Sequence, residues 1–130
     1  MKRFVATIVI FFILIIMSCL SLAFVITNEK VLESDLNEMI ELAEQSNMSG
    51  AIEKASEFLK KWENLEQYMI MMVRHNMIDE ITIRSSKLTT YAKYSNRGEF
   101  ISEVKAIKTL LKHISDDEKP LLHNFLWLLK

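Results

Sequence analysis

The N-terminal part of the chain is a single long run of apolar residues. Positions 4–27 read FVATIVIFFILIIMSCLSLAFVIT and carry no charge, and they are preceded by Lys2 and Arg3 and followed by Asn28. A helix rising about 1.5 Å per residue crosses a hydrocarbon core of about 30 Å within this length. A helix also satisfies all of its own backbone hydrogen bonds in lipid. The pattern therefore predicts a transmembrane anchor over residues 1–27 and a separate domain over residues 28–130.

The charges at the two ends of this segment predict its orientation. Lys2 and Arg3 stand before it, and cationic residues are retained on the cytoplasmic side of a membrane. The N-terminus is therefore expected in the cytoplasm, and residues 28–130 are expected to form an extracytoplasmic domain at the cell membrane.

Two other fates of the segment stay open. Ser21-Leu22-Ala23 has the small-x-small pattern of a signal peptidase site, which would place cleavage after Ala23. Ile16-Met17-Ser18-Cys19 loosely resembles a lipoprotein signal, although Met17 fits it poorly and the chain stays apolar beyond Cys19. The long uninterrupted apolar region favours an uncleaved signal-anchor.

Beyond residue 28 the apolar positions recur every three or four residues, which predicts amphipathic helices. The predicted inward positions are Leu32, Leu36, Met39, Ile40 and Ala43 in the first stretch, Ile52, Ala55, Leu59, Trp62, Leu65, Met69 and Val73 in the second, Ile78, Ile81, Ser85, Leu88 and Ala92 in the third, and Phe100, Val104, Ile107, Leu111 and Ile114 in the fourth.

Polar interruptions at 47–50 and 95–98, and a weaker one near 75–76, separate these stretches. Ser49 is the predicted N-cap of the second helix, and Ser115 or Pro120 is predicted to begin a last helix that ends at Lys130. Two glycines and one proline leave little scope for β-hairpins. We therefore expect an all-α protein, with one transmembrane helix followed by a small antiparallel bundle of helical hairpins.

A weak internal echo relates residues 47–62 to residues 96–111, at an offset of about forty-nine residues. Two helical hairpins built alike would produce it, and so would any antiparallel bundle.

Charge and cysteine content narrow the function classes. Without Lys2 and Arg3, fourteen basic residues face seventeen acidic ones, so residues 28–130 carry a net charge of −3 with both signs interspersed. This balance argues against a nucleic-acid surface and against electrostatic attachment to anionic lipid. The sole cysteine, Cys19, lies in the apolar segment, so residues 28–130 form no internal disulfide.

No known catalytic motif is present in the sequence, which has no G-x-S-x-G, no H-E-x-x-H and no glycine-rich phosphate loop. His75 and Asp79 are four residues apart and would share one helix face, which makes them a candidate polar pair. Two ligands are too few for a tight metal site. We therefore expect a protein that is not an enzyme and needs no cofactor.

Two apolar segments are candidate partner contacts. Met69, Met71 and Met72 cover more than one face of a helix, and exposed methionines suit adaptable protein contacts. Phe125 and Trp127 lie in a C-terminal segment that is apolar nearly all round, unlike an ordinary surface helix.

The order of residues W…H-x-x-x-D…L-x-x-Y…H-I…E resembles a bacterial family, domain of unknown function 4363. The residues that carry the resemblance are Trp62, His75, Asp79, Leu88, Tyr91, His113, Ile114 and Glu118. This chain departs from the family pattern in its methionine-rich residues 69–72 and its apolar tail.

The resemblance implies a short Gram-positive protein with one membrane helix and a helical outer domain, and it carries over no catalytic residue, substrate or cofactor. It also implies a partner, because members are often encoded beside multi-spanning membrane proteins of the YetF-like kind. We therefore expect an accessory or scaffold protein that binds a membrane partner through its outer helical domain. The alternative is an extracytoplasmic module that senses a small ligand or an ion.

Overall fold

The computed structural model describes the backbone of residues 1–128, and their side chains except those of residues 118 and 120–126. This part of the chain is helical nearly throughout and contains no strand, so the all-α prediction is confirmed. The helices are α1 (Lys2–Glu44), α2 (Met48–Met69), α3 (His75–Lys93) and α4 (Arg97–Leu128).

Short connections at 45–47, 70–74 and 94–96 make successive helices antiparallel. Contacts join α1 to α2, α2 to α3, α3 to α4 and α4 back to α1, which closes a four-helix bundle. We call the end of the bundle where α1 enters the proximal end, and it also contains the 70–74 turn. The distal end contains the other two turns.

The core follows the predicted stripes closely in three of the helices. All five predicted positions of α3, and all five of α4, are buried. In α1 the buried positions are Leu32, Leu36, Met39 and Ala43, while Ile40 is half-buried at the edge.

In α2 the predicted inward face is rotated from the observed one. Phe58 is fully buried where Leu59 was expected, and Ala51 is buried where Ile52 was expected. Ile52, Leu59 and Leu65 are half-buried, and Ile52 and Leu65 pack against the core. The apolar face of α2 is wider than one stripe, so its spacing alone does not identify the central line.

The two distal turns have the same backbone structure. Ser46 and Ser95 adopt left-handed conformations, with φ of 59° and 54°. In each turn the amide of the next residue, Asn47 or Asn96, donates to the carbonyl five residues earlier at 2.9 Å. This is the Schellman arrangement that ends a helix. The two turns have the same offset as the sequence echo, which therefore corresponds to two hairpins turned in the same way.

The same asparagines begin the following helices. Asn47 Oδ1 accepts the Gly50 amide at 3.0 Å, and Asn96 Oδ1 accepts the Glu99 amide at 3.3 Å. The prediction of Ser49 as the N-cap of α2 is wrong, because Ser49 lies inside the helix and its hydroxyl donates to Asn47 Oδ1. Placing Asn47 directly after the left-handed Ser46 directs its side chain at the free amides of α2.

The predicted start of a last helix at Ser115 or Pro120 is also wrong. α4 continues without interruption through both positions to Leu128. Ser115 is buried beside the buried Ile114, and its hydroxyl bonds none of the described residues, so it caps nothing. The helix continues across Pro120, although proline removes one backbone hydrogen bond.

Candidate functional site

Helix α1 consists of a free part and a packed part. The large apolar side chains from Phe4 to Leu20 are almost all exposed, and burial begins at Leu22 and Val25. At about 1.5 Å per residue, the seventeen residues of the free part are about 26 Å long. Among the described residues α1 alone is long and apolar enough to cross a membrane, as judged by length and composition.

The free part continues into the bundle as one helix. Phe24 packs its ring edge-on against Tyr68 of α2, with ring centroids 6.1 Å apart. Asn28 donates a side-chain hydrogen bond to the Phe24 carbonyl at 2.8 Å, so the polar side chain is satisfied within the helix. No break marks residues 27 and 28, and packing against the bundle begins several residues before the expected domain boundary.

A salt-bridge cluster holds α1 in register with α2. Asp35 is 6 % exposed, and its carboxylate accepts from Lys61 at 2.7 Å and forms a salt bridge with Lys54 at 3.3 Å. Lys54 also lies 2.8 Å from Glu38, and the hydrogen bonds to Glu38 and then to Asp35 raise the pKa of Lys54. A nearly buried carboxylate with two cationic partners tolerates little sliding, so it determines the height of α1 in the bundle.

A second polar cluster joins α2 to α3. The Trp62 ring is fully buried, as the sequence predicted, and its Nε1–H donates to the Thr82 hydroxyl at 2.9 Å. That hydroxyl lies 2.9 Å from a Glu66 carboxylate oxygen and 3.0 Å from the Ile78 carbonyl, so it can donate to either acceptor. Because an indole N–H is costly to bury without an acceptor, Thr82 determines how Trp62 fits into the core.

The α2–α3 turn places apolar side chains at the tip of the proximal end. Met71 is 77 % exposed, and Tyr68 and Ile70 are exposed beside it. Met72 is half-buried. Met69 is fully buried in the core, so it is not available as a partner contact.

The turn itself is well defined by its backbone hydrogen bonds. The Val73 amide donates to the Met69 carbonyl at 2.8 Å, and the Ile70 amide donates to the Glu66 carbonyl at 2.9 Å. Tyr68 and Ile70 carry no periodic signal in the sequence, because the helical repeat ends where the turn begins. The methionine-rich composition of the segment therefore identified Met71 and Met72 without these two neighbours.

The far part of α4 extends past the bundle. Lys108 pairs with Asn37 at 2.8 Å and with Glu33 at 3.6 Å, which sets the antiparallel register of α4 with α1. In that register residue 120 is level with the entry of α1 into the bundle, and the rest of α4 runs beside the free part of α1. Trp127 is 73 % exposed there, and Leu128 is also exposed. Phe125 falls among the side chains that the structure does not describe.

Charge is absent from three segments that meet at the proximal end. Residues 4–28, 67–73 and 120–128 contain no Lys, Arg, Asp or Glu. Glu66 and Arg74 bound the middle segment, whereas the sides of the bundle carry salt bridges between neighbouring helices, such as Arg84 with Glu103 at 2.9 Å. The proximal end is therefore an apolar surface on an otherwise charged domain.

His75 and Asp79 are both exposed near the start of α3. Within the described part of the chain no hydrogen bond or ion pair joins them. No group of three His, Cys, Asp or Glu residues suited to a metal ion occurs among the described residues either. The structure thus places this candidate pair on the surface, beside the apolar turn, without bringing its members together.

The protein is a closed four-helix bundle whose first helix extends from one end as a free apolar segment. The chain belongs to the family described as domain of unknown function (DUF4363), whose model matches residues 20–125. The match begins where α1 starts to pack against the bundle, and it includes most of the extended part of α4. Neither a curated protein nor a solved structure matches the chain.

Proposed function

We propose that this protein is a membrane-anchored accessory or scaffold protein, not an enzyme, which binds a multi-spanning membrane partner. One observation carries the membrane anchor in this proposal. The apolar free part of α1, from Phe4 to Leu20, is exposed and continues as one helix into the bundle. A long exposed apolar helix is stable in lipid and unstable in water.

Packing at the entry of α1 supports an anchor that is retained. The candidate cleavage sequence, Ser21-Leu22-Ala23, is helical, and Leu22 is buried. Proteases prefer exposed loops and tips, so a helical segment with a buried residue is a poor substrate. Lys2 and Arg3 at the free end favour a cytoplasmic N-terminus with the bundle outside.

The partner contact that we propose lies at the end of α4. Trp127 and Leu128 are exposed on a helix that runs beside the free part of α1, and Phe125 is two residues away in the same segment. Helices in a membrane associate mainly by close van der Waals packing and by hydrogen bonds between helices. An exposed aromatic side chain beside the anchor suits packing against a partner's membrane helices. The family resemblance makes YetF-like proteins the first candidates.

Site-specific photo-crosslinking in the membrane tests this contact. A photoreactive phenylalanine analogue replaces Trp127, and a control replaces Tyr94, which is 74 % exposed at the distal end. Position 127 should give one discrete adduct with a multi-spanning membrane protein, identified by mass spectrometry, and position 94 should not. Equal adducts at the two positions would contradict the proposed contact.

Serine substitutions at the same residues separate contact from folding. Trp127→Ser should abolish co-purification of the partner in mild detergent, whereas Tyr94→Ser should leave it unchanged. Both variants should keep the helix content measured by circular dichroism, because both side chains are exposed. If Trp127→Ser melts the bundle, the end of α4 belongs to the core and loses its role as the contact.

A further inference from the structure

We infer that the α2–α3 turn is a second membrane contact, in which Ile70 and Met71 insert at the boundary between headgroups and hydrocarbon and Tyr68 lies just above them. The bundle would then stand directly on lipid, without a stalk. The inference rests on the proposed function, because it takes α1 as the membrane span.

The length of α1 leaves no room for a stalk. A hydrocarbon core of about 30 Å needs about 20 helical residues, and any tilt of the helix requires more. Counted from Phe4, the first residue after Arg3, such a span ends at about Ala23. Packing against the bundle has already begun at Leu22. The proximal end of the bundle therefore meets the outer boundary of the hydrocarbon.

The position of the turn follows from its contacts with α1. Tyr68 packs on Phe24, so the two side chains are at the same height. Because α2 is antiparallel to α1, Ile70 and Met71 lie beyond Tyr68 in the direction of the free part of α1. Their height corresponds to about residues 21–23 of α1, which is the computed end of the span.

The side chains of the turn have the chemistry of a membrane boundary. Met71 and Ile70 are exposed and apolar, and Tyr68 combines an exposed ring with a hydroxyl, as residues of interfacial aromatic belts do. Arg74 is exposed at the last position of the turn, and a long cationic side chain there suits the level of the phosphates. No charge interrupts residues 67–73.

The placement of the turn favours lipid over a protein as its neighbour. α1 and α4 are adjacent in the bundle, and both continue past its proximal end. The turn closes the other two helices at the same end. Its tip therefore points along the bundle axis, toward the membrane that α1 enters, whereas a partner in the membrane plane lies to the side.

Fluorescence quenching by lipids in nanodiscs tests the inference on the full-length protein. An environment-sensitive fluorophore is attached in turn to the native Cys19, to Met71→Cys and to Tyr94→Cys, the latter two in a Cys19→Ser background. The bilayer is phosphatidylcholine with a fraction of lipids carrying a nitroxide near the top of the acyl chain. The fluorophores at 19 and 71 should be quenched, and the one at 94 should keep its intensity.

The three positions separate the two proposals. If the fluorophore at 19 is quenched and the one at 71 behaves like the one at 94, the anchor stands and the second membrane contact is refuted. If the fluorophore at 19 also stays bright, the membrane span itself is refuted. If Met71→Cys folds poorly, Ile70→Cys provides a second labelling position in the turn. The fluorophore at 70 should then be quenched as predicted for 71.

Discussion

The contact between Trp62 and Thr82 gives the sharpest prediction about the fold. Thr82→Val keeps the size and branching of the side chain and replaces its hydroxyl with a methyl group. In the variant the fully buried Trp62 Nε1–H loses the acceptor that lies 2.9 Å away. Glu66 loses a hydrogen-bond donor at the same time, but it is only half-buried and can bind water instead.

The expected cost follows from the group that is left unpaired. A buried donor without an acceptor costs about 1–3 kcal/mol. We therefore expect Thr82→Val to lower the free energy of unfolding by about 2 kcal/mol. For a domain of this size a loss of 1 kcal/mol lowers the melting temperature by about 4 °C, so the expected fall is about 8 °C.

Unfolding of the full-length protein in detergent micelles, followed by circular dichroism, measures this difference. Thr89→Val is the matched control, because Thr89 is half-buried on the same helix and its hydroxyl bonds none of the other described residues. In a Trp62→Phe background, which has no N–H to satisfy, Thr82→Val should cost about 0.5 kcal/mol, so the two sites couple by about 1.5 kcal/mol. Equal effects of Thr82→Val and Thr89→Val, or strict additivity with Trp62→Phe, would refute this reasoning.

Three further predictions concern the core, the turns and the charges. Leu111→Ala should cost about 2–5 kcal/mol, as for other buried leucines, while Ile83→Ala at an exposed position of α3 should stay within about 0.5 kcal/mol. Ser46→Gly or Ser95→Gly should raise stability by about 0.5 kcal/mol, because glycine adopts the left-handed conformation without strain. Because the pKa of Lys54 is raised in the folded protein, its charged side chain stabilises the fold fully below its ordinary pKa of 10.5, and this stabilisation is lost as the pH rises above 10.5. Lys54→Met should therefore be less stable than wild type at neutral pH. The difference in stability should shrink in strong alkali.

Each of these has a clear contrary result. Equal costs of the two alanine substitutions would mean that the register of α4 is wrong. A loss of stability in both serine variants would show that the hydroxyls, and not the backbone strain, decide the energy of the turns. A Lys54→Met difference that grows with pH would contradict the sign of the pKa shift.

Sequence periodicity predicted most of the bundle because apolar residues on α3 and α4 form single narrow stripes. It failed on α2, where Phe58 and Leu59 are both apolar and only the neighbouring helices decide which one is central. It also failed at Ser115, because a capping box is a local pattern, whereas Ser115 is buried inside the continuous helix α4. Local rules describe one segment at a time, and these outcomes depend on contacts between segments.

The apolar residues of the candidate site were predictable from composition, but their arrangement in space was not. Met71 and Trp127 were identified because their segments carry more apolar residues than one helix face can bury, and both are exposed. Met69 belongs to the same methionine-rich segment, but it occupies the last inward position of α2 and is buried. The convergence of the turn, the free helix and the end of α4 depends on the lengths of four helices, and no single motif encodes it.

The central proposal is that α1 is retained as a membrane anchor and holds the bundle outside the cell. Cysteine labelling of Tyr94→Cys in a Cys19→Ser background tests it most directly, using a membrane-impermeant maleimide on intact protoplasts. The mass of the labelled chain from the membrane fraction is then measured. We predict labelling without lysis and a mass that includes residues 1–23. Labelling only after lysis would contradict the orientation, and a chain that begins at Phe24 would contradict the anchor.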